Sequence, residues 1–262
     1  MRSLSEAIRG ALLTGESRAK VKATRALARA WRKGELAWDF GTQMPERPAW
    51  PAELALLPAN RMPKRGTGSA RGAIALWHSL AHIEFVAIDL ALDMAGRFGA
   101  EMGREFVDDF LAVAADEAMH FAILDRKLHR LGSHYGALPA HGGLWEAADA
   151  TRHDVRARLA VVPMVLEARG LDVTPATRDR VRAQGDEDGA RILQRILDDE
   201  IRHVRFGTKH FVAQCRESGE NPPECWKRLV ELHFGGALKP PFNDSARSAA
   251  GLSRDFYASL AS

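Results

Sequence analysis

The chain has 262 residues, 46% of them hydrophobic, a formal net charge of +3 and two cysteines. That length suits one large domain or two small ones with a sizeable core, and the composition excludes wholesale disorder. Cys215 and Cys225 are too few for a disulfide-stapled scaffold and, with nine residues between them, form no C-x-x-C redox or zinc pair.

The opening "MRSLSEAIRGALLTGESRAK" is amphipathic and broken by charge, unlike a signal peptide. No apolar run approaches the roughly 20 residues of a membrane span. The expected setting is therefore the reducing cytoplasm, with no membrane partner. Residues 1–71 hold 14 Lys+Arg against 6 Asp+Glu, whereas the rest hold 23 against 28. Such a basic third suits a nucleic acid or another polyanion. No recognition motif or interleaved aromatic accompanies it, so a solvated amphipathic helix is the plainer reading.

Residues 3–36 place apolar side chains at three- and four-residue steps and predict helix. Prolines and glycines across 40–70 predict an extended connector, packed with the N-terminal helix on the long helices or covering a pocket. Four long helices should then run from about Arg71 to Phe98, Glu101 to Leu131, Leu144 to Gly170 and Ala190 to Cys215. Gly99 is the expected C-cap of the first. The third should stop at Gly170, where "LDVTP" marks a break, after a polar crossover between Gly132 and Gly143. The organisation is thus 1–70, 71–218 and a C-terminal tail, 219–262. No segment alternates long enough to demand a sheet, so the fold class is all-α.

Two short stretches carry the chemistry: "DEAMHF" at 116–121 and "DEIRHV" at 199–204. With 17 glutamates and 10 histidines, about 0.6 Glu-x-x-His pairs are expected by chance, so one alone needs no function. Here Glu84 precedes Glu117 by 33 residues and Glu167 precedes Glu200 by the same 33. Glu84, Glu117 and His120 are each 83 residues before Glu167, Glu200 and His203. Residues i and i+3 share a helix face, and a hairpin turning near Ala100 brings Glu84 level with the Glu117/His120 pair. Four carboxylates and two imidazoles at the centre of a four-helix bundle suit two divalent first-row metals. His210 reads as a packed histidine, and His78, His82 and Asp89 point away from the face of Glu84.

The arrangement resembles the ferritin-like di-iron carboxylate superfamily over about residues 71–215. More closely, "RGAIALWHSLAHIEFVAIDLALD", "LPAHGGLWEAA" and "VLEARGLDVTP" look like a bacterial ferritin-like family catalogued as a domain of unknown function. The superfamily resemblance implies a bundle with Glu84, Glu117, His120, Glu167, Glu200 and His203 as metal ligands. By analogy with similar di-iron oxidases, Asp116 and Asp199, each just before a ligand, would hold His203 and His120 through their free ring N–H. Arg202 lies close enough in sequence to pair with one of these aspartates.

The expected cofactor is two iron ions, or a manganese–iron pair, with dioxygen as co-substrate. The expected activity is an oxygenase or hydroxylase acting on an organic substrate, a tRNA base among the options, with an electron-donor protein and a homodimeric state compatible with it. The alternatives are a ferroxidase or iron-storage protein, and a structural or polyanion-binding module. Residues added on both sides of the bundle favour the oxygenase. Two cysteines cannot build a rubrerythrin-type four-cysteine iron site. Tyr135 and Tyr257 lie outside the ligand helices, which disfavours a radical subunit.

Overall fold

The computed structural model describes residues 1–63, 69–234 and 237–260; residues 64–68 of the expected connector lie outside them. Among the described residues regular structure is almost wholly helical, as the sequence predicts, with one two-residue parallel strand pair, β1 (Arg2–Ser3) and β2 (Leu36–Ala37). The chain divides into two compact units, Met1–Trp145 and Glu146–Ser262, and the boundary falls inside the 71–218 segment.

The first unit opens with α1 (Leu4–Leu12) and α2 (Ser17–Arg32). The Ser3 side chain accepts from Glu6 N, and the Glu16 carboxylate accepts from Arg18 N and Ala19 N, so both helices begin on satisfied donors. α3 (Ala70–Met102) and α4 (Arg104–Arg130) form a long hairpin. α3 does not stop at Gly99. A Cβ there would lie 2.6 Å from Val107, so this glycine allows close packing between the paired helices. The turn is Gly103, at φ 86° and ψ −178°, a conformation open essentially to glycine alone. The hairpin therefore turns beyond Ala100, its expected midpoint.

Among the described residues α3 alone is long and apolar enough to cross a membrane, yet 61% of its most apolar window is buried inside the protein. That marks it as the core helix of this unit. Three fully buried aromatic residues, Phe85, Phe106 and Phe121, fill the α3 and α4 core.

The connector is irregular, as expected, and packs on these helices rather than hanging free. Leu12 O accepts from Ala49 N at 2.9 Å, Pro45 O accepts from Arg97 at 3.1 Å, and Trp50 Nε1 donates to Asp89 at 2.9 Å. It covers the side of α3 bearing Asp89, Asp93 and Gly96. At 100° per residue that side is about 120–180° around from Glu84, so in the described residues these contacts place the connector on the back of α3, away from the face bearing Glu84.

Beneath it lies a wholly buried ion pair, Lys20 with Asp89, in which Lys20 also donates to Leu12 O at 3.3 Å. Lys20 falls on the apolar stripe of α2 with Thr24, Leu27 and Trp31, which carries it inward. Burial lowers the Lys20 ammonium below its ordinary pKa, against the pull of Asp89, and raises the Asp89 carboxyl to about 6. Each charge therefore depends on the other.

The crossover after α4 is held by two histidines of α3. His78 Nε2 accepts from Gly136 N at 3.0 Å, and His82 bonds Tyr135 OH at 2.9 Å and His141 O at 3.0 Å. A carbonyl can only accept, so His82 Nε2 carries the proton and its Nδ1 accepts from Tyr135. Both rings are neutral: burial lowers each pKa to about 4.

In the second unit the expected third helix is three pieces. α5 (Gly143–Ala150) spans the boundary, a turn follows, and α6 (Val155–Val161) runs into a π-helical segment, Val162–Glu167. α7 (Ala168–Ala183) then continues unbroken through Gly170 and Pro175, so the expected break at "LDVTP" is absent. Pro175 has no N–H to give Leu171 O. That carbonyl accepts instead from Asn243 Nδ2 at 3.1 Å, and the helix survives. α8 (Glu187–Glu217) is capped by Asp186, and the tail forms α9 (Pro222–His233), α10 (Asp244–Ala249) and α11 (Arg254–Tyr257). Cys215 and Cys225 are both buried; burial and a side-chain hydrogen bond with Cys225 push the Cys215 thiol up to about 12.

Lys20→Met alone should cost about 3–5 kcal/mol in urea unfolding, because it strands a buried carboxylate. Lys20→Met with Asp89→Leu should recover most of that loss. For His78 the folded pKa is depressed, so its contribution is present above about 6.5 and lost as pH falls through about 4. Wild-type stability should fall by about 2 kcal/mol from this group between pH 7 and 5, a component absent in His78→Gln.

Candidate metal centre

Glu84 comes from α3 and Glu117 and His120 from α4, and all three are buried. The later turn brings Glu84 level with His120. His120 Nδ1 lies 3.2 Å from Glu84 Oε2 and 3.1 Å from Glu117 Oε2. Each residue offers a ligand atom within 4.8 Å of the others. All three are nearly inaccessible to solvent, Glu84 at 5% exposure and Glu117 and His120 at 0%.

Placing two carboxylates together in such a site is unfavourable without a cation. The Glu84 carboxyl is driven well above the ordinary carboxylate range, chiefly by burial and then by the negative charge of Glu117, with His120 opposing. Two hard oxygen donors and one imidazole nitrogen suit a divalent first-row ion, whose charge would neutralise both carboxylates. The donor set therefore fits a metal, and His120 Nδ1 is the ring nitrogen facing both glutamates.

In the second unit, α8 carries Glu200 and His203, both buried, with His203 Nδ1 3.5 Å from Glu200 Oε1. This repeats the i, i+3 geometry of Glu117 and His120. Glu167 is the last residue of the π-helical segment and is half-buried. An extra residue in a helical turn re-aims the side chains after it, and such bulges recur at functional sites. Pro163, within that segment, was the available sequence signal of an irregular turn, but periodicity alone read the stretch as ordinary helix.

Asp199 accepts from Arg195 Nε at 2.7 Å and from Arg202 at 3.4 Å, so the expected pairing of Arg202 with one of the aspartates is present. Asp116 is half-buried on α4, one residue before Glu117.

A family model described as "Protein of unknown function (DUF455)" matches residues 13–258. A protein of Haemophilus influenzae described as uncharacterized is 40% identical over 212 residues, covering 79% of this chain and 74% of its own. No solved structure matches.

Glu117→Gln should cut Fe(II) or Mn(II) affinity at least tenfold, read by anaerobic titration. In metal-free protein the same change should raise stability by about 1–3 kcal/mol, because a repulsive buried charge is gone.

Proposed function

The chain belongs to the family of proteins of unknown function DUF455, and we propose that it is a two-metal carboxylate oxidoreductase using dioxygen on an organic substrate. The buried convergence of Glu84, Glu117 and His120 is the observation that carries this reading. The repeat of the same three residue types at Glu167, Glu200 and His203, each 83 residues on, supports a second ion held in the same way. In this proposal the two sets belong to one ferritin-like bundle, a geometry argued from the repeat.

A pair of ferrous ions, when bound there, would supply the electrons for dioxygen reduction. The protein's own part is more specific. Four glutamates and two divalent ions sum to a neutral core, so charge is balanced without solvent. Glu84, Glu117 and His120 would hold one ion and Glu167, Glu200 and His203 the other. The burial of Glu84, Glu117 and His120 would keep water from the centre. In this proposal Asp116 and Asp199, each one residue before a glutamate ligand, orient the ligand histidines. The lengths of chain outside residues 71–218 favour an enzyme over a minimal iron store.

Anaerobic loading should stop at about two iron ions per chain, and admission of oxygen should then consume dioxygen. His120→Ala should lose metal and oxygen uptake together while keeping its helical circular dichroism. Accumulation of many irons per chain in a hollow assembly would favour storage instead.

A further inference from the structure

The metal centre leaves both cysteines unused. Cys215 lies in the last turn of α8 and Cys225 in the first turn of α9. The link between these helices is short and held: Glu220 N donates to Cys215 O at 2.9 Å, and Asn221 caps α9 by accepting from Glu224 N at 3.2 Å. α9 thus folds back on α8, and the two thiols meet in a side-chain hydrogen bond. Cys215 is 0% exposed and Cys225 3%. A buried cysteine by itself is usually inert packing. Here the chain's two cysteines, separated by nine residues, are placed together as a dithiol.

Only a polar side chain covers Cys225. Arg228 Nη2 donates to Cys225 Sγ at 3.5 Å, yet the Arg228 side chain is 58% exposed. The same guanidinium pairs with Glu220, which also holds Arg156 of α6. Movement of one exposed side chain therefore opens a path to this sulfur for a small, uncharged molecule. Cys215 is wholly covered. Burial and the bond to Cys225 raise its pKa to about 12, so it stays a thiol.

We propose that Cys225 and Cys215 form a two-electron redox site, oxidised by hydrogen peroxide to an intramolecular disulfide. Cys225, as the anion, attacks the O–O bond. A sulfenic acid forms on its sulfur, and the departing hydroxide takes up the proton that Cys225 gave. The Cys215 sulfur then attacks the sulfenic sulfur. The S–S bond forms, and the sulfenic hydroxyl leaves as water with the Cys215 proton. Two thiols and one hydrogen peroxide give one disulfide and two waters. The new bond joins α8, which carries Glu200 and His203, to α9, whose buried Trp226 donates to Ala160 O of α6 at 3.2 Å. Its formation does not depend on the two-metal reading.

The test is intact-mass measurement and non-reducing peptide mapping of full-length protein, reduced, desalted and treated with hydrogen peroxide in iron-free buffer. Wild type should lose about 2 Da per chain, with the Cys215 and Cys225 peptides joined and dithiothreitol restoring both thiols. Its melting temperature should rise by about 5–10 °C, because the bond closes a short loop in the unfolded chain. Cys215→Ser should instead gain about 16 or 32 Da at Cys225, which then has no thiol to resolve it. Cys225→Ser should leave Cys215 unmodified at the same dose. Glutathione disulfide, too bulky for the Arg228 cover, should oxidise wild type at least tenfold more slowly. The wild-type result stands whether or not either variant folds. The proposal is overturned if folded wild type keeps both thiols or links one chain to another instead. Oxidation of Cys215 without Cys225, or equal rates with glutathione disulfide and peroxide, would also overturn it.

Discussion

Two glutamates and a histidine meet within hydrogen-bonding distance in a dry part of the core, and much of the first unit is arranged so that they can. Water would solvate these carboxylates far better than the protein interior does, so the site carries a standing electrostatic cost. The raised Glu84 pKa expresses that cost as a preference for a proton, and a divalent cation satisfies it more completely. Such an arrangement persists because the elements holding it are stabilised elsewhere.

Those elements can be named. Gly103 lets α3 turn directly into α4, and Gly99 lets the helices approach closely near that turn. On the back of α3, Lys20, Asp89 and Trp50 tie together α2, α3 and the connector. His78 and His82 hold the crossover as neutral hydrogen-bonding groups. These contacts lie on α3 positions that interleave with Glu84 along one helix. The same helix thereby presents Glu84 on one side and anchors on the others.

Helical class and the spacing of the glutamates and histidines were legible because both are periodic. A 33-residue interval repeated at a constant 83-residue offset survives any small error in helix ends. Turn position was less legible. Gly99 is the C-cap that the sequence suggests, but the approach of Val107 shows that it packs, and the positive φ of Gly103 shows where the chain turns. "LDVTP" misled for a related reason. Pro175 removes one donor, but whether the helix breaks depends on Asn243, far along the chain, satisfying the orphaned carbonyl. Lys20 could have been suspected from its place in the α2 apolar stripe, although its partner Asp89 could not. The contact of Cys215 with Cys225 likewise arises only when α9 folds back on α8. The π-helical turn before Glu167 left only Pro163 as a trace.

The claim on which the rest depends is that Glu84, Glu117 and His120 are ligands and not merely a buried hydrogen-bonded cluster. Anomalous diffraction at the iron edge, from crystals grown anaerobically with Fe(II), tests it directly. The expected result is an anomalous peak within about 2.3 Å of a carboxylate oxygen of each glutamate and of His120 Nδ1. A structure from iron-saturated crystals with no peak there, and His120 still bonded to the two carboxylates, would contradict it.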